Sequence, residues 1–309
     1  MRLPHFRSWR WLTGLPVIFL SGLLLLWPYC PESVRWLQSK GRHDKAESLM
    51  TKMASTNKIT EFNLEDHRIQ QVQHQSQVQE SLLNVLKCAP LAFRILNCCF
   101  CWMTVTMVYY GLSLNATNLA GSPFTNFILV ALVELPGYTL SYYTMEKLGR
   151  RKSTALSLFI GGGSCLLSSI LSLYQKVSFI NTLAIITFLL GKLGVTWTFG
   201  NVYIYTSELF PTSARTACVG ACSTSGRIGS IISPYIAVLG ATHAWLPSFV
   251  FGIFAFVSGS LVMLFLPETL GRALPETVSE AAELNRPSVV QVDDDQETEE
   301  VNEATPLIS

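Results

Sequence analysis

An all-α membrane protein with seven transmembrane helices is the fold class this chain predicts, and three observations predict it. Hydrophobic residues make up 49% of the 309 positions and charged residues only 14%, a balance that excludes a soluble globular domain. Windows of about 20 apolar residues, enough to cross a hydrocarbon core roughly 30 Å thick, recur along the chain. The basic residues gather in alternate connections, as the positive-inside rule requires of successive crossings.

Taken in order, the expected spans are residues 11–29, 94–114, 124–145, 153–174, 181–205, 216–239 and 245–266. Residues 1–30 hold a leader and the first transmembrane helix. The leader fails as a signal peptide, because the apolar run that follows is of full spanning length and lacks a small-residue cleavage site. Residues 31–93 read as a cytoplasmic helical loop, with amphipathic helices over 34–57 and a glutamine-rich stretch over 64–86. Residues 94–266 form a six-helix unit, and 267–309 a disordered acidic cytoplasmic tail.

Arg35, Lys40, Arg42, Lys45, Lys52, Lys58, Arg68 and Lys87 between spans one and two, and Lys147, Arg150, Arg151 and Lys152 between spans three and four, place those loops inside. The alternating connections carry a single basic residue, Lys176, and lie outside. Seven crossings with an inside tail then put the amino terminus outside, where Arg2, Arg7 and Arg10 violate the rule. The expectation is that further helices precede Met1. The tail also ends in an acidic dileucine-like sorting pattern, Glu303 with Leu307 and Ile308.

Three ionisable residues fall inside spans: Glu134, Lys192 and Arg227. An arginine at the bilayer centre costs about 2.5–3.5 kcal/mol even on insertion scales, so it is expected to face a bundle interior or a watery cavity. At about 1.5 Å of rise per residue, each of the three lies roughly 15–17 Å deep, at the midplane. Around Arg227 the helical neighbours are Gly220, Ser223, Thr224, Ser230 and Pro234, a small and polar stripe. Such stripes also serve close helix packing, but packing does not account for the arginine within it.

One carboxylate against two cations leaves a positive balance, which an anionic ligand group would neutralise. Trp102, Tyr109 and Tyr110 on the second span, with Trp197, Phe199 and Tyr203 on the fifth, offer aromatic faces to a cation. Guanidinium and aromatics together suit a small zwitterion with a carboxylate and an ammonium. Nothing in the chain groups as a nucleophile with its base, a metal site or a phosphate loop, and His5, His43, His67, His74 and His243 are scattered outside the spans. No enzymatic activity, cofactor or nucleic-acid partner is expected. The eight cysteines read as small apolar packers rather than a disulfide or zinc framework. Seven spans also match a heptahelical receptor by arithmetic, but the long loop after span one and three midplane charges favour a transporter.

An internal echo supports that choice. Span one ends in Pro31-Glu32-Ser33-Val34-Arg35 and span seven in Pro267-Glu268-Thr269-Leu270-Gly271-Arg272. Transporters are commonly built from repeated six-span halves.

Several blocks carry a family resemblance: Pro31-Glu32-Ser33-Val34-Arg35-Trp36-Leu37, Trp102-Met103-Thr104 with Tyr109-Tyr110-Gly111-Leu112-Ser113-Leu114, Val133-Glu134-Leu135-Pro136, Gly149-Arg150-Arg151, Gly191-Lys192, Glu208-Leu209-Phe210-Pro211-Thr212 with Arg215, and the run from Ser223 to Tyr235. On these the chain resembles the organic cation and carnitine transporter branch of solute carrier family 22, within the major facilitator superfamily. The resemblance implies a major facilitator half, namely the last helix of the first half plus the complete six-helix second half, without the first five spans.

It implies an alternating-access carrier of small organic ions at the plasma membrane. Tyr109, Tyr110, Glu134, Lys192 and Arg227 would line its cavity, and Trp102, Ser223 and Ser230 join them as candidates for binding substrate. Arginine rather than aspartate at position 227 implies carnitine-like or anionic cargo. Arg150, Arg151, Glu208 and Arg215 would form a charged inner gate. The partners implied are a small organic ion, membrane lipid and a coupling ion such as sodium or a proton. In an alternative reading the chain does not itself transport but pairs with a full-length carrier.

Overall fold

The computed structural model describes residues 42–58, 82–116, 122–174, 178–275 and 277–284, with scattered positions between 14 and 37. Most of the expected first span, the glutamine-rich stretch up to residue 81, and the sorting residues Glu303, Leu307 and Ile308 lie outside the described residues. The chain divides into two compact units, residues 1–77 and 78–309. In the first, helix α1 (His43–Thr56) buries Ala46 and Ala54, two turns apart on one face.

The second unit is a helical bundle with no strand among its described residues. A short α2 (Leu82–Lys87) leads into six long helices: α3 (Ala89–Asn115), α4 (Pro123–Leu148), α5 (Arg150–Leu171), α6 (Ser178–Leu209), α7 (Arg215–Leu239) and α8 (Leu246–Phe265). Pro90, Pro123 and Pro247 sit in the first turns of α3, α4 and α8, where a missing N–H costs nothing. Five of the six are long and apolar enough to cross a membrane. The exception is α7. Its 25 residues suffice in length, but Arg227 and its Gly, Ser and Thr residues dilute the hydropathy. The expected seven-helix composition thus resolves into six long helices among the described residues.

Helix α3 packs on α7, α5 on both α6 and α8, and α4 on α6. The α3–α7 approach is close because Gly229 offers no side chain: a Cβ there would strike the Met103 carbonyl, and the Thr106 hydroxyl donates to the Gly226 carbonyl at 2.6 Å. Between α4, α5 and α6 a buried polar layer closes on itself. Ser141 donates to the Asn201 amide oxygen at 2.7 Å, the Asn201 amide donates to Ser153 at 2.9 Å, and the Trp197 indole donates to Thr144 at 2.8 Å. With no water in lipid, such groups must find partners within the bundle.

The expectation of a disordered tail from residue 267 is corrected by the structure as far as Leu284. After α8 the chain runs back across the bundle end and closes in a short helix, α9 (Val278–Glu283). The Tyr205 hydroxyl donates to the Pro267 carbonyl at 2.6 Å and the Thr212 N–H to the Pro275 carbonyl at 3.0 Å. Arg94, buried in the first turns of α3, donates to the carbonyls of Ala281 and Ala282. A desolvated guanidinium requires acceptors, and the end of α9 supplies them.

Candidate functional site

Three helices converge on one carboxylate. Glu134 lies on α4, two residues before Pro136, whose missing N–H leaves the Leu132 carbonyl without its usual helical donor. Glu134 Oε1 accepts from Lys192 Nζ of α6 at 3.0 Å and from the Tyr109 hydroxyl of α3 at 2.7 Å. The Lys192 ammonium donates further to Ser113 Oγ at 2.8 Å and to the Tyr109 carbonyl at 3.3 Å, and stands 3.3 Å from the Tyr109 ring centroid.

The lysine side chain is fully buried whereas Glu134 keeps 29% of its side-chain surface. A buried ammonium persists only when its donors are occupied, and here a carboxylate, a hydroxyl, a carbonyl and a ring face occupy them. The carboxylate is different. Its Oε2 accepts no hydrogen bond among the described residues and belongs to a partly exposed side chain, so one oxygen remains available to a ligand.

An aromatic run extends from this point. Tyr109 meets Tyr110 edge-on at 5.4 Å and Phe199 at 5.0 Å, Phe199 meets Tyr203 at 5.9 Å, and Tyr203 meets Trp102 at 4.4 Å. Tyr110 is exposed, while Trp102 is buried with its indole N–H donated to Thr206 Oγ1 at 2.9 Å. Arg227 joins none of these bonds. It lies exposed on α7 and has no ion pair among the described residues. Ser223 is half-buried, and Ser230 donates to the Gly226 carbonyl at 3.2 Å.

A second charged cluster closes the basic end of the bundle. Arg150 Nε reaches both Glu208 oxygens, at 3.2 and 3.0 Å, and its Nη2 reaches Oε1 at 3.1 Å. The Thr269 hydroxyl donates to Glu208 Oε2 at 2.6 Å. Glu268 accepts the backbone N–H groups of Arg150 at 2.7 Å and Arg151 at 3.2 Å, capping the start of α5 with a carboxylate where the helix dipole favours one. Gly149, at φ +87° and ψ 164°, makes this possible: a Cβ there would lie 2.5 Å from Glu268 Oε2. Arg151 turns its guanidinium to the Met263 carbonyl, and Arg215 donates locally to Thr212 at 3.2 Å.

Of the residues expected from sequence, the structure therefore brings together Glu134, Lys192, Tyr109 and Tyr110 in one place and Arg150 with Glu208 in another. It leaves Arg227 and Arg215 apart from both. Sequence reasoning missed Ser113 and Glu268. For Glu268 a signal was present, since its Pro-Glu echo follows a span and faces the Gly149-Arg150-Arg151 helix start.

Comparison with known proteins fits this geometry. The fold is shared with the proton:xylose symporter XylE, a major facilitator superfamily protein solved with 6-bromo-6-deoxy-D-glucose, which superposes with a TM-score of 0.60 at 19% identity, over 89% of this chain and 58% of the symporter. At that identity the likeness shows the fold. Residues 3–280 match the sugar (and other) transporter family model, and the chain belongs to that family.

Within it, the chain is 37% identical to organic cation/carnitine transporter 2 of Homo sapiens, over 91% of this chain and 50% of the relative. It is 38% identical to solute carrier family 22 member 15 of Xenopus tropicalis, over 89% and 51%, and 35% identical to the organic cation transporter protein of Drosophila melanogaster, over 88% and 50%. The chain thus spans about half the length of the curated relatives it matches. It is a multi-pass integral membrane protein of the sugar (and other) transporter family, and the relatives it resembles are transporters rather than enzymes.

Proposed function

We propose that the six-helix bundle forms one wall of a carrier for small organic ions of the carnitine type, working by alternating access in the plasma membrane. The observation that carries this reading is the Glu134 carboxylate, held by Lys192 and Tyr109 through one oxygen and open through the other. A substrate ammonium pairs with Glu134 beside the Tyr109 and Tyr110 rings, where a cation gains about 0.5–2 kcal/mol per aromatic face. The exposed Arg227 holds the substrate carboxylate, with Ser223 and Ser230 on the same helix. The Arg150–Glu208 cluster ties helix ends together at the inner side of the bundle. A sodium ion or proton drives uptake.

Radiolabelled carnitine and tetraethylammonium uptake tests this, measured in cells expressing the chain alone and in cells expressing it fused behind the first half of organic cation/carnitine transporter 2. Glu134→Gln should abolish uptake of both cargoes when uptake is normalised to the amount of protein at the cell surface. Arg227→Ala should remove carnitine uptake and spare tetraethylammonium. Carnitine uptake unchanged by both variants would reject the site.

A second reading is favoured by the exposed face of α7, where Arg227 lies beside Ile231, 63% exposed, and Tyr235, 73% exposed. Such a face needs cover, and in this reading a full-length carrier provides it while the chain itself does not transport. Co-purification with organic cation/carnitine transporter 2 from cells expressing both tests it. Absence of a complex, together with uptake by the chain alone, would remove it.

A further inference from the structure

Sequence composition marks the cysteines as small packing residues, but two of them meet. Cys99 on α3 and Cys222 on α7, 123 residues apart, place their sulfurs 3.8 Å from one another in hydrogen-bonding contact. Three observations make this pair distinct. The two backbones run close there, because the Ser225 hydroxyl donates to the Cys99 carbonyl at 2.9 Å and Gly226 and Gly229 of α7 press against Thr106 and Met103 of α3. Cys99 is only half-buried, on the helix face that also carries the exposed Leu96 and Tyr110. Among the described residues the other free thiols, the half-buried Cys88 and the buried Cys98, Cys101, Cys165 and Cys218, share no sulfur–sulfur hydrogen bond.

We propose that Cys99 and Cys222 form an oxidisable dithiol, a modification site that peroxides convert to a disulfide stapling α3 to α7. A disulfide needs Cα atoms about 4.4–6.8 Å apart and sulfurs at about 2.0 Å, so the thiols must close by roughly 1.8 Å. The Ser225–Cys99 hydrogen bond holds the two helices together at this point, and rotation of the two side chains brings the sulfurs into bonding range.

Hydrogen peroxide, a small neutral molecule, oxidises Cys99, which is half-buried where Cys222 is buried. Its O–O bond breaks, the sulfur takes one oxygen as a sulfenic acid and one water leaves. Cys222 then attacks that sulfur. The S–S bond forms, the S–O bond breaks and a second water carries away the hydroxyl and the remaining thiol proton. In sum, two thiols and one peroxide give one disulfide and two waters. Cys222 lies five residues from Arg227, about 7.5 Å along α7, so the staple forms at one end of the proposed substrate wall. The inference does not depend on the cargo.

The full chain, purified in detergent, is treated with hydrogen peroxide, alkylated with N-ethylmaleimide, digested and mapped by mass spectrometry. The expected result is at least a tenfold rise in a linked peptide pair containing Cys99 and Cys222, reversed by dithiothreitol. C222S should eliminate that pair and leave Cys99 trapped as a dimedone-reactive sulfenic acid. C99S should eliminate both signals, and an unchanged elution volume for each variant confirms the fold. Recovery of Cys99 and Cys222 as separately alkylated peptides after peroxide, or linkage of Cys99 to another cysteine instead, would overturn the proposal.

Discussion

The two charged clusters of this bundle use the same chemistry to different ends. At the basic end, Glu208 is held by three Arg150 contacts and a threonine hydroxyl, and Glu268 by backbone N–H groups of α5, so both carboxylates engage donors through each of their oxygens. In the middle of the bundle, Glu134 receives both its donors on one oxygen. Its cation, Lys192, is buried completely, whereas Arg150 keeps 21% of its side-chain surface. A saturated carboxylate at the rim fastens elements together. A carboxylate with one open oxygen, backed by a buried ammonium, is the feature on which the proposed substrate contact rests.

The strongest way to break this contrast is to take the charge from Glu134. Glu134→Gln leaves the Lys192 ammonium buried with neutral acceptors only, and losing one partner of a buried pair costs about 3–5 kcal/mol. Thermal unfolding in detergent should show the loss. Adding Lys192→Met to Glu134→Gln should restore most of it. A double variant as unstable as the single one would show that the pair's charge is not what the site must balance.

At the basic end the expected effects are smaller and shared among more bonds. Gly149→Ala forces a side chain into a backbone region open essentially to glycine, at about 1–3 kcal/mol, and drives a Cβ against the Glu268 carboxylate. In a Glu268→Ala background the steric part disappears, so the same substitution should cost less. Equal costs in both backgrounds would locate the effect in the backbone alone. Arg150→Lys keeps the charge but loses the forked geometry on Glu208, and about 1 kcal/mol is expected from thermal unfolding. Added salt should weaken this pair more than the Lys192 pair, whose ammonium is buried completely.

Much of this contrast is legible in the amino-acid sequence. Apolar runs of spanning length locate the long helices, and the cost of charge in lipid singles out Glu134 and Lys192. Depth along a helix gives height but not direction, however. Height puts Arg227 level with the other two, while the fold turns it onto the exposed face of α7. Ser113, which holds Lys192, looks in sequence like any small polar packer. The described course over 266–275 and 277–284 is hidden for a related reason: its composition is polar, and the contact that holds its end is the buried Arg94 of a helix some 187 residues earlier. Contacts between distant elements leave no periodic mark. The thiol pair is likewise invisible in the sequence, since only the close α3–α7 approach distinguishes Cys99 and Cys222 from the other cysteines.

The smallest expected change in stability is the most informative about function. Arg227 makes no ion pair among the described residues and its side chain is exposed, so Arg227→Ala removes little that holds the bundle together. Substitutions of that kind fall within about 0.5 kcal/mol. An arginine placed at membrane depth without a structural role is costly to retain, and a cost of that kind is borne where a ligand or a facing surface needs the charge. Thermal unfolding should therefore leave Arg227→Ala indistinguishable from the parent chain, while carnitine uptake in the fused carrier falls to background. A large loss of stability would instead make Arg227 a structural cation like Arg94, and the substrate carboxylate would have to be held elsewhere.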